Sequence, residues 1–401
     1  MKKHIVILCD GMADYNNAEN RTPMKDAKKP MMDYLAFNGE VGLCRTVPTG
    51  MKPGSDVANL SVMGYEPEKY YTGRSPLEAL SIGVKMEKTD ISYRANLVTL
   101  SEEEDYENKT MMDYSSGEIT TQEASQLISY LKQFFNEGDL MLYSGISYRH
   151  CLLRKNGNTG AILTPPHDIS DKKITEYLPK GEYKDEMLAI MKRSYELLSN
   201  HPINRKRKAQ GLNPANSLWF WGEGRKPALD SFEAKYGVKG AVISAVDLIK
   251  GIGIGANMTS IDVEGATGTI KTNFEGKANA AISALKNHDY VYVHLEAPDE
   301  CGHQGNYKEK VESLELIDEK IITPIVKHLK ENNIKFNILI CPDHATPISL
   351  KTHVSDPVPY LIYDSEKKRG CGVKTFDEDS VKTTRCFLEN GSDLIKKLLN
   401  I

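Results

Sequence analysis

The sequence predicts an α/β protein built on a mostly parallel β-sheet. Three short runs, HIVILC near the N-terminus and YVYVHL and FNILIC in the C-terminal part, are almost wholly apolar. Such runs are typical of central strands that are buried on both faces. Helical patterns alternate with the strands on both sides of a middle region, and this alternation favours parallel pairing. Acidic residues or histidines follow each of the three runs closely.

The first strand, in HIVILCDGMAD, ends at Asp10. In open parallel sheets, ligands bind at the carboxyl ends of the strands. A carboxylate at this position is therefore expected to take part in chemistry rather than in packing. Asp14, four residues later, is a second candidate.

The segment MKPGSDVANLSVMGYEP contains the candidate nucleophile, Ser55. A Gly-Ser-Asp sequence followed by an apolar helical pattern puts the hydroxyl at or near a helix N-terminus. Free backbone N–H groups at such a terminus favour an anion such as a phosphoryl group. The alternative is that Ser55 only caps the helix, because serine is a preferred capping residue.

The middle of the chain is predicted to be an inserted α/β or α+β domain, residues 89–236, within a first domain formed by residues 1–88 and 237–401. This region lacks the acidic and histidine motifs of the two ends. It contains amphipathic helix patterns in TTQEASQLISYLKQFF and KDEMLAIMKRSYELLSN. In the first of them the apolar positions at helical spacing are Ala124, Leu127, Ile128, Leu131 and Phe135.

The inserted domain is predicted to bind the carboxylate and remaining groups of the substrate. Arginine suits this task because its planar guanidinium group can bind a carboxylate or phosphate with two hydrogen bonds. The candidates are Arg94, Arg149, His150, Arg154, Arg205, Arg207 and Arg225. The KRK run near residue 207 is short, and the net charge of −4 argues against a nucleic-acid partner.

Further acids and histidines follow the two C-terminal strands. Asp299 and His303 are four residues apart, so one helix turn would bring them to one ion; Asp343 and His344 are adjacent, and His353 follows. Taken singly, each motif is common as a helix-surface pair or a turn. Together with Asp10 they indicate a two-metal phosphoryl-transfer site, because two ions can clamp the attacking and the leaving oxygen. The expected groups are Asp299, His303 and His353 on one metal, and Asp10, Asp343 and His344 on the other.

Composition excludes several other classes of protein. The 7 cysteines form no CxxC pair, which indicates reduced thiols in a cytoplasmic protein. The N-terminal apolar run is too short for a signal peptide, and no run approaches the roughly 20 apolar residues that cross a membrane. No obligatory protein partner is evident. The GIGIG stretch near residue 253 is expected to form a loop or a hinge.

Seven segments carry a resemblance to a known family: DGMAD, GSDVANLSVMGYEP, YTGRSPLEALSIGV, GAVISAVDLIKGIG, VEGATG, HLEAPDECGHQG, and PDHATP with KTHVSDPVP. They resemble the cofactor-independent phosphoglycerate mutases of the archaeal type, which belong to the alkaline phosphatase superfamily. The resemblance runs from the first strand to the C-terminus. It implies an alkaline-phosphatase-like core with an inserted second domain.

The resemblance also implies a mechanism. Ser55 would take the phosphoryl group from 3-phosphoglycerate and return it to the 2-hydroxyl of the reoriented glycerate, without 2,3-bisphosphoglycerate. Two divalent metal ions would be required, with manganese expected first and magnesium, cobalt or zinc as alternatives. One ion would be bound by Asp299, His303 and His353, and the other by Asp10, Ser55, Asp343 and His344. A catalytic lysine of the family matches Lys250 in DLIKGIG. Arg74 in YTGRSP is another family-like cation and a substrate-binding candidate, with an ordinary surface or helix-capping role as the alternative.

Two other functions use the same metal core. A related phosphotransferase would act on another small hydroxy acid or hydroxyamino acid, such as homoserine, or on a phosphonate, since substrate identity depends on the inserted domain. A phosphate-ester or sulfate-ester hydrolase is the third hypothesis. The arginines of the insert argue against it, because a domain that closes on the acceptor and excludes water favours transfer over hydrolysis.

Overall fold

The computed structural model describes residues 2–367 and 372–401. Its strands, in chain order, are β1 (Lys3–Cys9), β2 (Glu40–Cys44), β3 (Ile91–Leu100), β4 (Met111–Asp113), β5 (Leu140–Tyr143), β6 (Arg149–Arg154), β7 (Ala161–Ile162), β8 (Lys180–Gly181), β9 (Ser217–Arg225), β10 (Gly240–Ile243), β11 (Thr259–Ile261), β12 (Tyr290–Leu295), β13 (Phe336–Cys341), β14 (Val358–Asp364) and β15 (Phe387–Leu388).

The helices, in chain order, are α1 (Pro23–Asp26), α2 (Pro30–Asn38), α3 (Ser55–Val62), α4 (Pro67–Tyr70), α5 (Ser75–Ser81), α6 (Thr121–Phe135), α7 (Lys184–Ser199), α8 (Pro202–Ala209), α9 (Phe232–Tyr236), α10 (Asp247–Gly255), α11 (Phe274–Ala284), α12 (Ala297–Gln304), α13 (Tyr307–Ile317), α14 (Thr323–Glu331), α15 (Glu378–Lys382) and α16 (Asp393–Leu399). A π-helical turn, Asp318–Ile322, joins α13 to α14. Within the described ranges, no helix combines the length and the apolar character needed to cross a membrane.

The chain forms two compact units, one from Met1–Tyr71 with Leu229–Ile401 and the other from Thr72–Ala228. The sequence-based bounds, at residues 88/89 and 236/237, differ from these. The first difference arises because α5 packs on β3 and β9 and so belongs with the second unit.

The first unit is built on an eight-stranded sheet in the order β11-β10-β12-β1-β13-β14-β2-β15. The strands from β11 to β13 pair in parallel, as do β15 and β2, whereas β14 is antiparallel to both of its neighbours. The predicted mostly parallel sheet is therefore confirmed. β1, β12 and β13 are buried along nearly their whole length, as their apolar sequences predicted.

The GIGIG stretch is helical, so the expectation of a loop or hinge was wrong. It forms the C-terminal half of α10. Gly253 lies so close to β10 that a Cβ atom at this position would be 2.5 Å from Val242 Cγ1. Glycine is used here for close helix-to-strand packing rather than for mobility.

The second unit is α+β. Its main sheet is antiparallel, with the long strand β3 paired to β6 on one side and β9 on the other, and with β5 beyond β6 and β4 at the end of β3. The two helices predicted in this region are confirmed as α6 and α7. The apolar positions predicted for α6 are its buried face, and they pack in a core that also contains Trp219 and Trp221.

Candidate active site

Three neighbouring strands of the first unit bring acidic residues to one edge of the sheet. β1 lies between β12 and β13, with Cys9 opposite Leu295 and Leu8 opposite Cys341. Asp10 follows β1 directly, and Asp343 follows β13 after one intervening residue. α12 begins just after β12 and carries Asp299 in its first turn. Side chains from distant parts of the sequence therefore meet where the parallel strands end.

The carboxylates of Asp10, Asp299 and Asp343 are all buried. Burial, together with the nearby charges of Asp343 and Asp299, raises the pKa of Asp10 well above its ordinary value. Asp10 Oδ1 has no hydrogen-bond partner among the described residues. A buried, unpartnered carboxylate oxygen beside two other carboxylates is a good ligand for a cation, which would offset their mutual repulsion.

Two histidines lie against Asp299. His303 Nε2 is 3.2 Å from Asp299 Oδ2, and His353 Nε2 is 3.5 Å from Asp299 Oδ1. The two imidazole Nε2 atoms are only 2.9 Å apart. Although burial opposes ionisation of Asp299, hydrogen bonds from His303 and His353 hold its pKa well below its ordinary value. These residues correspond to the first group predicted from the sequence, and the helical spacing expected for Asp299 and His303 is present in α12.

His344 stands between the two groups of possible ligands. Its Nε2 atom is 3.6 Å from Asp10 Oδ1 and 3.4 Å from Asp343 Oδ2, and its ring is stacked on that of His353 with centroids 3.9 Å apart. Ligand-capable atoms lie within 4.8 Å of one another in two sets, Asp10 with Asp343 and His344, and Asp299 with His344 and His353. The second group predicted from the sequence is therefore brought together. Burial lowers the pKa of His344, which favours the neutral, ligand-competent imidazole.

Ser55 is the first residue of α3 and is half-buried. Its Oγ atom lies 3.2 Å from His344 Nε2, so the hydroxyl is next to the carboxylate and histidine cluster. The N-cap residue, Gly54, has no side chain to cap the helix, and within the first turn Val57 N donates to Asp56 Oδ1 at 2.9 Å. The nucleophile predicted from the sequence thus has both a polar partner and a helix terminus beside it.

Asn59, one turn after Ser55, was not singled out by the sequence. Its Nδ2 atom donates to Ser55 O at 2.8 Å and to Asp343 Oδ2 at 2.8 Å. Tyr292, in β12, donates from its hydroxyl to Asn59 Oδ1 at 2.6 Å. An asparagine one helix turn after a candidate nucleophile, within an otherwise apolar helical pattern, is the sequence signal that could have indicated it. Asn59 connects the start of α3 to the end of β13.

Two threonines and a lysine, which the sequence analysis also did not single out, form hydrogen bonds with residues of the cluster or with the loops next to it. Thr46 Oγ1 donates to the carbonyl of Asp343, and Thr346 Oγ1 donates to Asp299 Oδ1. Lys310 is fully buried, and its ammonium group donates to Asp14 Oδ2 at 2.8 Å and to Thr346 O at 2.8 Å. Asp14, which the sequence offered for chemistry, is therefore engaged in a buried ion pair.

Gly11 allows the loop after β1 to approach α12. It has a φ of +62°, which favours glycine. A Cβ atom at this position would lie 2.6 Å from both Asp299 Cα and Asp299 Oδ1. Any side chain here would displace one of the carboxylates of the cluster.

Lys250, the lysine matched to a catalytic position, lies on α10. Its ammonium group is 2.6 Å from Asp262 Oδ1, and the Asp262 side chain is 83% exposed. This pairing partner lies outside the carboxylate cluster. The catalytic role of Lys250 stays a prediction.

Three of the predicted anion-binding residues lie around Glu78 in the second unit. Arg94 Nε is 2.9 Å from Glu78 Oε2, and Arg74 Nε is 2.8 Å from Glu78 Oε1. Burial lowers the pKa of Arg94 to about 10 against the charge of Glu78, and the nearby charges of Arg74 and of the exposed Arg149 add to this lowering. The guanidinium group of Arg94 stacks on Trp221, 4.1 Å from the ring centroid. Although burial opposes its charge, Arg94 and Arg74 hold the pKa of Glu78 below its ordinary value. Three cations around one anion leave this cluster positive.

The other predicted anion binders in the second unit have different surroundings. Arg207 donates to Glu123 and to two backbone carbonyls, Arg225 donates to two carbonyls, and Arg154 is paired with Asp139 and Glu186. His150 Nδ1 accepts from Gly145 N, and burial lowers its pKa to about 3, so that it is neutral. Arg205 is exposed on α8. The engaged side chains of this set have protein partners that a substrate would have to displace.

The chain is similar to proteins of known family. Residues 36–204 match the family model described as 2,3-bisphosphoglycerate-independent phosphoglycerate mutase. A protein of that name from Methanosarcina barkeri is 48% identical over 98% of this chain and 98% of its own length. One from Geobacter sulfurreducens, named as a probable enzyme of this kind, is 46% identical over 99% of this chain and 100% of its own.

Solved structures agree in fold. The cofactor-independent phosphoglycerate mutase of Thermoplasma acidophilum superposes with a TM-score of 0.68 at 26% sequence identity. The alignment covers 100% of this chain and 99% of the chain of that structure. With 48% identity to a curated relative over nearly its whole length, the chain belongs to the family of 2,3-bisphosphoglycerate-independent phosphoglycerate mutases.

Proposed function

We propose that this protein interconverts 3-phosphoglycerate and 2-phosphoglycerate without 2,3-bisphosphoglycerate, with Ser55 as the residue that carries the phosphoryl group between the two positions. The observation that carries the proposal is the location of the Ser55 hydroxyl. It lies at the N-terminus of α3 and 3.2 Å from His344 Nε2, beside three buried carboxylates. A helix N-terminus favours the negative charge of a phosphoryl group.

The residues of the cluster fit two divalent metal ions. Asp10 Oδ1 is buried and has no hydrogen-bond partner in the part of the chain that the structure describes, and the Nε2 atoms of His303 and His353 both approach Asp299. The proposed ligands are Asp299, His303 and His353 for one ion, and Asp10, Ser55, Asp343 and His344 for the other. Bound divalent ions would supply positive charge against the phosphoryl oxygens and favour ionisation of the serine hydroxyl. The family resemblance puts manganese first, with magnesium, cobalt or zinc as alternatives, and mixed imidazole and carboxylate ligands can bind these ions.

The proposed transfer takes place in two matched steps. Ser55 Oγ attacks phosphorus, the bond between phosphorus and the 3-oxygen of the substrate breaks, and the serine proton replaces the phosphoryl group on that oxygen. The 2-hydroxyl of the glycerate then attacks the phosphoserine, and its proton returns to Ser55. Asn59 holds the backbone of Ser55 and the carboxylate of Asp343 in a fixed relation through both steps.

The arginine cluster of the second unit is proposed to bind the carboxylate of the substrate. Arg74, Arg94 and Arg149 surround a single acidic residue, Glu78, and the excess positive charge suits an anionic ligand. Arg94 is held by Trp221 and Glu78, so its guanidinium group is already oriented before substrate binds. The proposal includes a cytoplasmic location, which the free state of the six described cysteines supports.

We expect the purified, manganese-loaded protein to produce 2-phosphoglycerate from 3-phosphoglycerate in an enolase-coupled assay with no 2,3-bisphosphoglycerate. Activity should disappear on chelation and return when Mn²⁺ is added back, because the charged cluster is incomplete without cations. Adding 2,3-bisphosphoglycerate should not increase the rate. The proposal is wrong if a protein that holds two metal ions releases inorganic phosphate from 3-phosphoglycerate, or leaves it unchanged, without forming the 2-isomer.

Arg94→Met is expected to raise KM for 3-phosphoglycerate by about 10-fold or more, since it removes a charge-assisted contact worth roughly 1.5–3 kcal/mol. Methionine keeps much of the packing on Trp221. Arg193→Met, on α7 in an exposed pair with Glu196, serves as the matched control and should leave KM unchanged. Initial rates over a range of substrate concentrations measure both. Equal KM values for the two variants would exclude Arg94 as a substrate ligand.

A further inference from the structure

We infer that His294 is a positioning residue that orients Asp10 for metal binding, and that Ser244 sets which nitrogen of His294 carries the proton. This inference rests on the metal site of the proposed function but concerns residues outside its ligand set. His294 lies in β12 and is fully buried, and its Nε2 atom is 2.9 Å from Asp10 Oδ2. On the other side of the ring, His294 Nδ1 is 3.2 Å from Ser244 Oγ.

The hydrogen bonds form a chain across three neighbouring strands. Ser244 follows β10, His294 is in β12 and Asp10 follows β1, and these strands are adjacent in the order β10-β12-β1. Val246 N donates to Ser244 Oγ at 2.9 Å, so the position of the serine hydroxyl is fixed by the backbone of its own loop. This series of hydrogen bonds therefore starts at a serine hydroxyl fixed by the backbone and ends at a carboxylate of the cluster.

Chemistry assigns a direction to each bond in this chain. A carboxylate that binds a metal is ionised and its oxygens only accept, so in that state the nitrogen that faces Asp10 Oδ2 carries a hydrogen and His294 Nε2–H donates. In a neutral imidazole the other nitrogen, Nδ1, then accepts from the hydroxyl of Ser244. Asp10 Oδ2 is thus engaged, while Asp10 Oδ1 has no partner among the described residues. One oxygen of Asp10 is held in place and the other is left for a cation.

The backbone of His294 is also fixed. Lys277, on α11, is buried, and its ammonium group donates to His294 O at 3.1 Å. The ring and the carbonyl of the same residue are therefore both restrained. Hydrogen bonds that restrain a ligating side chain improve metal affinity because less freedom is lost on binding.

A simpler possibility is that His294 is a core histidine whose nitrogens are merely satisfied. His288 provides the comparison within the same unit. It is buried too, with Nδ1 3.0 Å from Ala284 O and Nε2 3.0 Å from Thr259 Oγ1, but none of these partners belongs to the carboxylate cluster. Removal of either ring should destabilise the fold, and only the loss of His294 should change metal binding.

The test measures Mn²⁺ binding directly. Mn²⁺ is added to protein from which a chelator has removed the metal, and the electron paramagnetic resonance signal gives the concentration of free ion. His294→Leu should weaken one of the two sites by about 10- to 100-fold, the usual effect of losing a residue that orients a ligand. His294→Gln, whose side-chain amide can still donate to Asp10, should recover most of that affinity. Ser244→Ala should give a smaller loss, and His288→Leu should bind Mn²⁺ as the parent protein does.

Thermal midpoints of the metal-free variants separate this role from a structural one. Equal decreases in the thermal unfolding midpoint of His294→Leu and His288→Leu, with unchanged Mn²⁺ affinity in both variants, would overturn the inference. If His294→Leu does not fold, unchanged Mn²⁺ affinity in Ser244→Ala overturns the inference, whereas a weakened site in Ser244→Ala supports it. A parent protein that binds two Mn²⁺ ions but does not isomerise phosphoglycerate would contradict the proposed function and leave this inference standing. A parent protein that binds no Mn²⁺ would contradict both.

Discussion

Ser55→Ala is expected to lower kcat for the mutase reaction by about 10³-fold or more, because the variant cannot form the covalent intermediate on which the proposed transfer depends. The loss should be in kcat rather than in KM, since the arginine cluster of the second unit is unchanged. Mn²⁺ content should fall little, because the histidines and carboxylates remain. The coupled assay gives the rate, and the mass of the protein quenched during turnover shows whether a phosphoryl group is attached.

Ser61→Ala is the matched control for this prediction. Ser61 is on the same helix, is buried and does not contact the carboxylate and histidine cluster in any described hydrogen bond. It should keep both the activity and the phosphorylated species. A Ser55→Ala protein with near-normal activity would exclude a phosphoserine at this position. A phosphorylated Ser55→Ala protein would show that another side chain carries the group.

Much of the candidate site could be predicted because its chemistry is local in sequence. Strands buried on both faces have continuous apolar sequences, and Asp10 and Asp343 follow such strands within two residues. The helical spacing of Asp299 and His303 is likewise a property of a short segment. Since parallel strands end at the same edge of a sheet, the side chains that follow them could be expected to meet.

The supporting hydrogen bonds could not be predicted, because they connect residues that are far apart in the chain. Asn59 and Asp343 are separated by 284 positions, and so are Asp10 and His294. A single sequence contains no signal that identifies the hydrogen-bond partner of a buried asparagine or histidine. Only the order of strands in the sheet brings these pairs together, and many strand orders are compatible with the same apolar pattern.

The prediction of a loop or hinge at GIGIG was wrong for a different reason. Glycine has a low intrinsic helix propensity, by about 1 kcal/mol relative to alanine, so three glycines in five residues favour a loop on local grounds. The tertiary contact decides otherwise, because α10 packs so closely on β10 that Gly253 leaves no room for a Cβ atom beside Val242. Local preference is a weak guide where helix and sheet are in van der Waals contact.

Lys310→Met is expected to cost about 3–5 kcal/mol of stability, the effect of breaking a buried ion pair by removing one partner. Lys310 is completely buried and is paired with Asp14, which is itself buried. Burial lowers the pKa of Lys310, and the charge of Asp14 opposes that shift. Without the ammonium group, Asp14 retains two weak backbone contacts from Ile348 N at 3.2 Å and one from Tyr15 N at 2.8 Å. Urea unfolding of the metal-free protein, followed by circular dichroism, measures the loss.

Two further variants show whether the pair itself is responsible. Lys396→Met removes a lysine from an exposed pair with Asp393 and should change the unfolding midpoint little, since surface pairs contribute little to stability. Asp14→Asn together with Lys310→Met should be less destabilised than the sum of the two single variants, because the double variant no longer buries an unpaired charge. Additive losses would mean that Lys310 acts mainly through the carbonyls of Ala13 and Thr346. Its role would then be to join two loops that carry candidate metal ligands, and the Mn²⁺ affinity of Lys310→Met should fall along with its stability.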